Sequence, residues 1–260
     1  MVFRRCTIGG NEYRGDLKSS HDETAKSKPV SVVEVSTDEV AHEDAPSPGD
    51  SSADTRVEDE RKPSTDEALE KFTDLALQLD ISEAIRSQDA ASDFSTTLIG
   101  FFTVLSLCHS VIAAKDPVTG AVVYKAQSPD EAALVHAAAE MGFEFLGKDK
   151  EILSLKIPGS TDIEKYELLD ILEFTSARKR MSVVLRKLNP QDNSLLLLTK
   201  GADNIIFERL RPGGDELKRE TEKDLTEFAN SGLRTLTLAY KTIPGSSLFQ
   251  PSFKVFFSDV

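Results

Sequence analysis

Residues 173–188 read EFTSARKRMSVVLRKL, and residues 194–210 read SLLLLTKGADNIIFERL. In the first stretch, Met181, Val183 and Leu185 fall on one face of an extended chain, which is the period of a half-buried β-strand. The run of four leucines in the second stretch is typical of a central strand that is covered on both faces. With the apolar residues that precede the basic turn, these stretches predict a meander of three antiparallel strands.

The composition narrows the kinds of partner that the chain can have. Its 260 residues carry a formal net charge of -13, and the isoelectric point lies near 4.9. Such a field repels phosphate backbones and anionic membrane surfaces, so we expect no nucleic-acid partner. Cys6 and Cys108 are too far apart for a metal or redox motif, which favours free thiols in a reducing compartment.

Shifts in composition predict the domain boundaries. Residues 1–14 contain a short N-terminal strand. Residues 15–64 are dominated by Ser, Asp, Glu and Pro, which bury too little apolar surface to offset ordering, so we predict a disordered acidic insertion. Within it, Val30–Val35 could pair as a strand. Residues 65–243 form the folded domain, and residues 244–260 form a divergent aromatic tail.

Two helices are predicted from apolar residues at helical spacing, over 65–79 and 94–112. The apolar stretch 98–114 is short for a bilayer span and contains polar residues, so we expect a buried amphipathic helix there. Cys108 and His109 could suggest a nucleophile and its base. Adjacent residues on a helix point to different faces, however, so we expect no catalytic pair.

A further helix has a well-marked start at residues 128–131, Ser-Pro-Asp-Glu. Ser128 is a good N-cap, Pro129 suits the first helical position, and Glu131 stands where a capping box places its carboxylate. From spacing alone, Glu131 is therefore favoured as a capping residue over a role as a ligand-binding group.

The motifs of several enzyme classes do not occur in the sequence: the P-loop, the dinucleotide fingerprint, HExxH, GxSxG and a cysteine cluster. What remains suits an anionic aromatic ligand. Lys200 could meet a phosphate at the end of a strand, and Gly201 would allow a close backbone approach. Phe174 could stack on a base, and Arg234 could contact phosphate or ribose. Each alone could equally be a core phenylalanine, a surface lysine or an edge arginine.

Several multi-residue blocks resemble one family. In chain order, the main blocks are SPDEAALV (128–135), EFTSARKRMSV (173–183), KGAD (200–203) and GLRTLTLAY (232–240). They resemble the nucleotide-binding domain of type IV P-type ATPases, the phospholipid flippases, and are most similar to fungal members. FRRCTIGG (3–10) and FFTVLSLCHSVI (101–112) are also similar, so that the resemblance covers residues 1–13 and 65–243.

The resemblance implies an α/β fold of the α+β type and an adenine-nucleotide site. With the strand pattern, we expect a mostly antiparallel twisted sheet of about six strands flanked by helices. By resemblance, Phe174 would stack on adenine, Lys200 would lie at the base of the pocket, and Arg234 would contact the phosphate side. Glu131 would line the adenine end. The pocket rim would include Ser176, Arg178 and Gly201.

The resemblance also implies what would complete the site. The family's phosphorylated DKTGT aspartate, its TGD and GDGxND segments and the actuator's DGET do not occur here, so we assign no catalytic residue and no metal ligand. The implied ligand is ATP, with Mg²⁺ held in the intact family protein outside this domain. Partners would be the phosphorylation and actuator domains and the membrane helices, at the cytosolic face of a membrane.

On this reading the chain alone would be soluble and cytoplasmic, and unable to translocate lipid. Two alternatives stay open. The first is a protein-interaction module that recruits a partner through residues 15–64 or 244–260. The second is a truncated product without catalytic function.

Overall fold

A computed structural model describes residues 1–15, 72–86, 93–189, 194–210, 212 and 215–243, and the backbone of residues 32–36. Most of the predicted insertion 15–64 and the whole tail 244–260 lie outside these described residues. Their predicted character therefore stays a prediction.

The described elements, in chain order, alternate between strands and helices. They are β1 (Val2–Ile8), β2 (Asn11–Tyr13), β3 (Val32–Ser36), α1 (Leu75–Arg86), α2 (Asp93–Leu107), β4 (Ile112–Lys115), β5 (Val122–Lys125), α3 (Pro129–Glu140), β6 (Glu144–Asp149), β7 (Ile152–Lys156), β8 (Ile163–Leu172), β9 (Arg180–Lys187), β10 (Leu195–Gly201), α4 (Asp203–Phe207), α5 (Asp215–Asn230) and β11 (Arg234–Ile243).

The main sheet is antiparallel at every pairing that the structure describes, in the order β2-β1-β3-β11-β10-β9-β8-β7-β6. The six strands β6 to β11 follow one another in sequence and in space, and this series contains the predicted three-strand meander. The expected fold class is confirmed. Among the described residues the sheet is wider than expected, because β3, β1 and β2 continue it beyond β11 to nine strands.

Strand β3 falls inside the predicted insertion. Its backbone pairs with β1 on one side and with β11 on the other, including Val33 opposite Leu236. The sequence allowed a strand at Val30–Val35, and the structure has one at 32–36. This short segment therefore connects the N-terminal strands to the rest of the sheet.

The main core lies between one face of the sheet and helices α1 to α3. The apolar residues predicted for one face of β9, Met181, Val183 and Leu185, are all buried. The prediction of a half-buried strand is wrong at Ser182, which lies on the opposite face and is also buried. Phe102 of α2 stacks on Phe143 with ring centroids 5.0 Å apart. Such an aromatic pair stabilises the fold by more than the apolar area that it buries.

Helix α2 ends earlier than its apolar pattern predicts, at Leu107 instead of residue 112. The chain turns because the ring of His109 bonds to the backbone on both sides. Its Nε2 donates to the carbonyl of Ser106 over 2.8 Å, and its Nδ1 accepts the N–H of Val111 over 3.0 Å. Side-chain bonds to the backbone compete with helix continuation in this way.

Helix α1 also differs from the prediction over 65–79. It begins at Leu75 and continues to Arg86. Asp74 precedes it and accepts the N–H of Leu77 over 2.9 Å, which is the bond an N-cap residue makes. None of the helices in the described part of the chain is long and apolar enough to cross a membrane.

Candidate functional site

The topology brings the predicted ligand-binding residues to one end of the sheet. Strand β8 ends there, β9 begins at Arg180, β10 ends at Gly201 and β11 begins at Arg234. Gly201 is paired with Arg180 on one side and with Thr237 on the other. Neighbouring strands lie about 4.8 Å apart, so these four strands present an edge about 14 Å wide. That width accommodates a ligand with a ring at one end and charges at the other.

A buried ion pair joins this edge to helix α3. The Nζ of Lys200 lies 2.6 Å from Oε1 of Glu131, and the two side chains are only 9% and 13% exposed. Lys200 shares its face of the sheet with its neighbours in register, Met181 and Leu238. The interpretation of Lys200 as a surface lysine is therefore wrong, because its stem lies in the core and its ammonium meets a carboxylate.

The Glu131 carboxylate does not act as the capping-box group that its spacing predicts. Ser128 does cap the helix, since its Oγ accepts the Glu131 N–H over 3.4 Å. The other Glu131 oxygen, Oε2, instead accepts the N–H of Ser110 over 3.1 Å and its hydroxyl over 2.6 Å. Burial would raise the pKa of Glu131, but the Lys200 charge and the Ser110 bonds outweigh it and hold the pKa below its usual value.

Arg234 points towards the start of the same helix. Its Nη1 lies 2.9 Å from Oδ2 of Asp130, with the arginine side chain 59% exposed. Strand β11 lies inside the sheet, between β3 and β10, so Arg234 is not an edge-strand residue. Asp130 keeps its second oxygen, Oδ1, buried and unpartnered among the described residues. Asp130 and Glu131 thus neutralise one cation each.

The loop between β8 and β9 carries the predicted stacking and rim residues. Phe174 is 62% exposed, so it is not a core phenylalanine. Ser176 is exposed in the turn, and Arg178 donates through Nη1 to the carbonyl of Glu173 over 2.8 Å. Lys179 has a left-handed backbone, with φ of 49°. This folded-back loop therefore places an accessible aromatic ring next to consecutive cations.

Residue 201 must be a glycine because the neighbouring strand β9 leaves no space for a side chain. A Cβ at this position would lie 2.6 Å from the Lys179 carbonyl oxygen and 2.6 Å from the Cβ of Arg180. The close approach that the sequence predicts is thus made by the backbone of β9. The helix that follows, α4, is only five residues long, and Asp203 already accepts the N–H of Asn204 over 2.7 Å.

Cys108 and His109 lie near the ion pair, since the charges of Lys200 and Glu131 act on both groups. The Cys108 thiol faces the carbonyls of Met181 and Leu198, and burial raises its pKa to about 12. Burial, with the nearby Lys200 charge, lowers the pKa of His109 to about 4. Both groups are neutral near pH 7, and each side chain bonds to backbone groups.

Ser110 and Asp130 contact the predicted site residues, and the sequence did not single them out for this. Ser110 holds Glu131 and Asp130 holds Arg234. A signal for Asp130 existed in its position next to Glu131 at a helix start. No local pattern pointed to Ser110, which lies 21 residues from the group it binds.

Comparison with known proteins gives one family. Residues 97–256 match the model of the P-type ATPase cytoplasmic domain N. The chain is 36% identical over 94% of its length to the "Probable phospholipid-transporting ATPase 11" of Arabidopsis thaliana, of which it covers 18%. It is 44% identical over 62% of its length to the "Phospholipid-transporting ATPase dnf2" of Schizosaccharomyces pombe, of which it covers 11%.

A vertebrate relative shows the same likeness. The chain is 46% identical over 55% of its length to the "Phospholipid-transporting ATPase IC" of Xenopus tropicalis, of which it covers 11%. The chain therefore spans less than a fifth of the length of these three relatives. The resemblance drawn from the sequence blocks is confirmed.

We predict that Gly201→Ala lowers the free energy of unfolding by about 2 kcal/mol, since overpacking against fixed backbone costs about 1–3 kcal/mol. Urea unfolding measures it. Gly120→Ala is the control: nothing lies within 4 Å of its Cβ position and its φ is 70°, so it bears only the left-handed strain of about 1 kcal/mol. A Gly201→Ala chain as stable as the unaltered one would contradict the close approach.

We predict a pH dependence of stability from His109. Its pKa in the folded chain is about 4, below that of an unfolded histidine, so the unfolded state binds the proton first as the pH falls. As the pH falls from about 7 to about 5, past the unfolded pKa near 6.5, protonation of this histidine in the unfolded chain should lower the free energy of unfolding by about 2 kcal/mol.

The variant His109→Gln checks this assignment, because glutamine can donate to Ser106 and accept from Val111 without titrating. Its unfolding free energy should fall less steeply over that pH range. His136, whose pKa burial also lowers, is retained in both chains. Equal slopes for the two chains would contradict the assignment to His109.

Proposed function

The chain belongs to the family of P-type ATPase cytoplasmic N domains, and from that premise we propose that it binds adenine nucleotide at the end of its main sheet. The observation that carries the proposal is the buried Lys200–Glu131 pair at the same sheet end as the exposed Phe174. A donor and an acceptor held in fixed positions at the same end of the sheet as an accessible ring are suited to a heterocyclic base.

Each residue has a role that its environment supports. The exposed ring of Phe174 supplies a flat surface on which adenine stacks. Glu131 and Lys200 offer an acceptor and a donor to the edge of the base at the buried end of the site. Arg234, more than half exposed, exchanges its contact with Asp130 for the phosphates.

The local charge also supports an anionic ligand. Arg178 and Lys179 lie in the turn before β9, and Arg180 begins the strand. These three cations are consecutive, although the whole chain carries a net charge of -13. A basic cluster on an acidic protein attracts a small anion locally while repelling extended polyanions. This charge pattern fits a nucleotide better than a nucleic acid.

In the intact protein, the proposed role is to present ATP for transfer of its terminal phosphoryl group to an aspartate in the phosphorylation domain. Domain closure would bring the two together, and Mg²⁺ would act on the phosphates outside this domain. The three relatives are named as phospholipid-transporting ATPases. We therefore assign the chain to a phospholipid translocase, with the actuator domain and membrane helices as further partners.

Binding by this domain alone should be modest. Most contacts are to the base and the ribose, so we expect a dissociation constant of about 0.1–1 mM, or about 4–5.5 kcal/mol. ATP and ADP should bind similarly, and Mg²⁺ should matter little. Hydrolysis by the chain alone should stay near background.

We predict that Phe174→Ala weakens ATP binding at least fivefold, because stacking a base on an aromatic ring contributes about 1–3 kcal/mol. Calorimetric titration measures the change. The ring is exposed, so the variant should unfold at the same urea concentration as the unaltered chain.

Ile163→Ala is the matched control for this experiment. Ile163 is 50% exposed and begins β8, at the opposite end of the strand that leads to Phe174. It should leave binding unchanged. Folded, unaltered chain that shows no saturable binding up to about 10 mM, equivalent to about 2.7 kcal/mol, would refute the proposed function.

A further inference from the structure

We propose that Ser110 is a positioning residue for nucleotide binding: it fixes the Glu131 carboxylate, and through it the Lys200 ammonium, in the orientation that receives the base. This inference rests on the proposed function and assigns a role to a residue outside the site that the family resemblance implies. Ser110 lies in the turn between α2 and β4.

The two oxygens of the Glu131 carboxylate have different partners. The N–H and the hydroxyl of Ser110 both reach Oε2 of Glu131, over 3.1 Å and 2.6 Å, while Lys200 takes Oε1 over 2.6 Å. A glutamate side chain has several rotatable bonds, and a lysine has more. Of these contacts, loss of the serine would leave the Glu131 carboxylate only its bond to Lys200. Each of the two flexible side chains would then be positioned mainly by the other.

The turn that carries Ser110 is itself rigid. The buried ring of His109 accepts the N–H of Val111 and donates to the carbonyl of Ser106, so it spans the turn on either side of the serine. This ring also makes a T-shaped contact with the ring of Phe145, with centroids 4.8 Å apart. A binding group is held most precisely when its supporting residues are locked by packing and hydrogen bonds, and Ser110 meets that condition.

The protonation of Glu131 gives a readout that does not depend on nucleotide. Burial acts to raise its pKa, and the Lys200 charge together with the two Ser110 bonds lowers it. Removing the serine hydroxyl should therefore move this pKa upward. A residue that merely fills space would leave it unchanged.

The test compares Ser110→Ala, which loses the hydroxyl and keeps the N–H, with Ser110→Thr, which keeps both. The Glu131 carboxyl is titrated by NMR without nucleotide, and ATP affinity is measured by calorimetry. We expect Ser110→Ala to raise the Glu131 pKa and weaken ATP binding about three- to tenfold, the usual effect of one hydrogen bond. Ser110→Thr should restore both values.

Ser82→Ala is the control for loss of a serine hydroxyl, since the Ser82 hydroxyl donates to the carbonyl of Gln78 on the exposed side of α1. Ser110→Val provides a second comparison, because it matches threonine in shape and lacks only the hydroxyl. Valine should reproduce the alanine result, and circular dichroism verifies that each variant is folded.

Two results would overturn the proposal: a Glu131 pKa that stays the same in Ser110→Ala, or a raised pKa with unchanged ATP affinity. Absence of ATP binding to the unaltered chain would overturn the proposed function together with this inference. The cases are distinguishable, because only the last one involves a failure of the unaltered protein.

Discussion

The ion pair between Lys200 and Glu131 is the contact on which the arrangement of the site depends. It joins a strand in the middle of the sheet to the first turn of a helix 69 residues away in sequence. Two charges that are taken out of water must recover their hydration through other bonds, and removing one partner of such a pair costs about 3–5 kcal/mol. Ser110 contributes two of the compensating bonds. The pair thus fixes α3 against the sheet, with both oxygens of the Glu131 carboxylate held by hydrogen bonds.

The rest of the site follows from the register of the sheet. Strands β8 to β11 are neighbours, so the loop after β8, the start of β9 and the end of β10 stand side by side. Gly201 lets β9 and β10 approach closely at that end, and the loop above them exposes Phe174. Exposed functional groups on a loop held by a rigid scaffold are a common arrangement for binding. The proposed site therefore combines a buried, fixed ion pair with an exposed aromatic ring.

Periodicity was enough to predict the strands β8 to β10, and capping residues were enough to predict the start of α3. The partners of the charged groups could not be predicted, because the spacing of Ser128 and Glu131 is a local signal. The bonds that orient the Glu131 carboxylate come from residues 21 and 69 positions away. The early end of α2 depends on the bonds that the His109 ring makes with the backbone, which an apolar pattern does not encode. The width of the sheet depends on β3, a short strand within a polar segment.

The most direct test of this account is a map of backbone amide NMR shifts on addition of ATP. Saturable shifts should cluster at Ser110, Glu131 and Gly201 and in the loop that carries Phe174. Shifts that instead cluster at the cleft between β1 and α3, lined by Phe3 and His136, would contradict it, as would a spectrum of folded protein that ATP leaves unchanged.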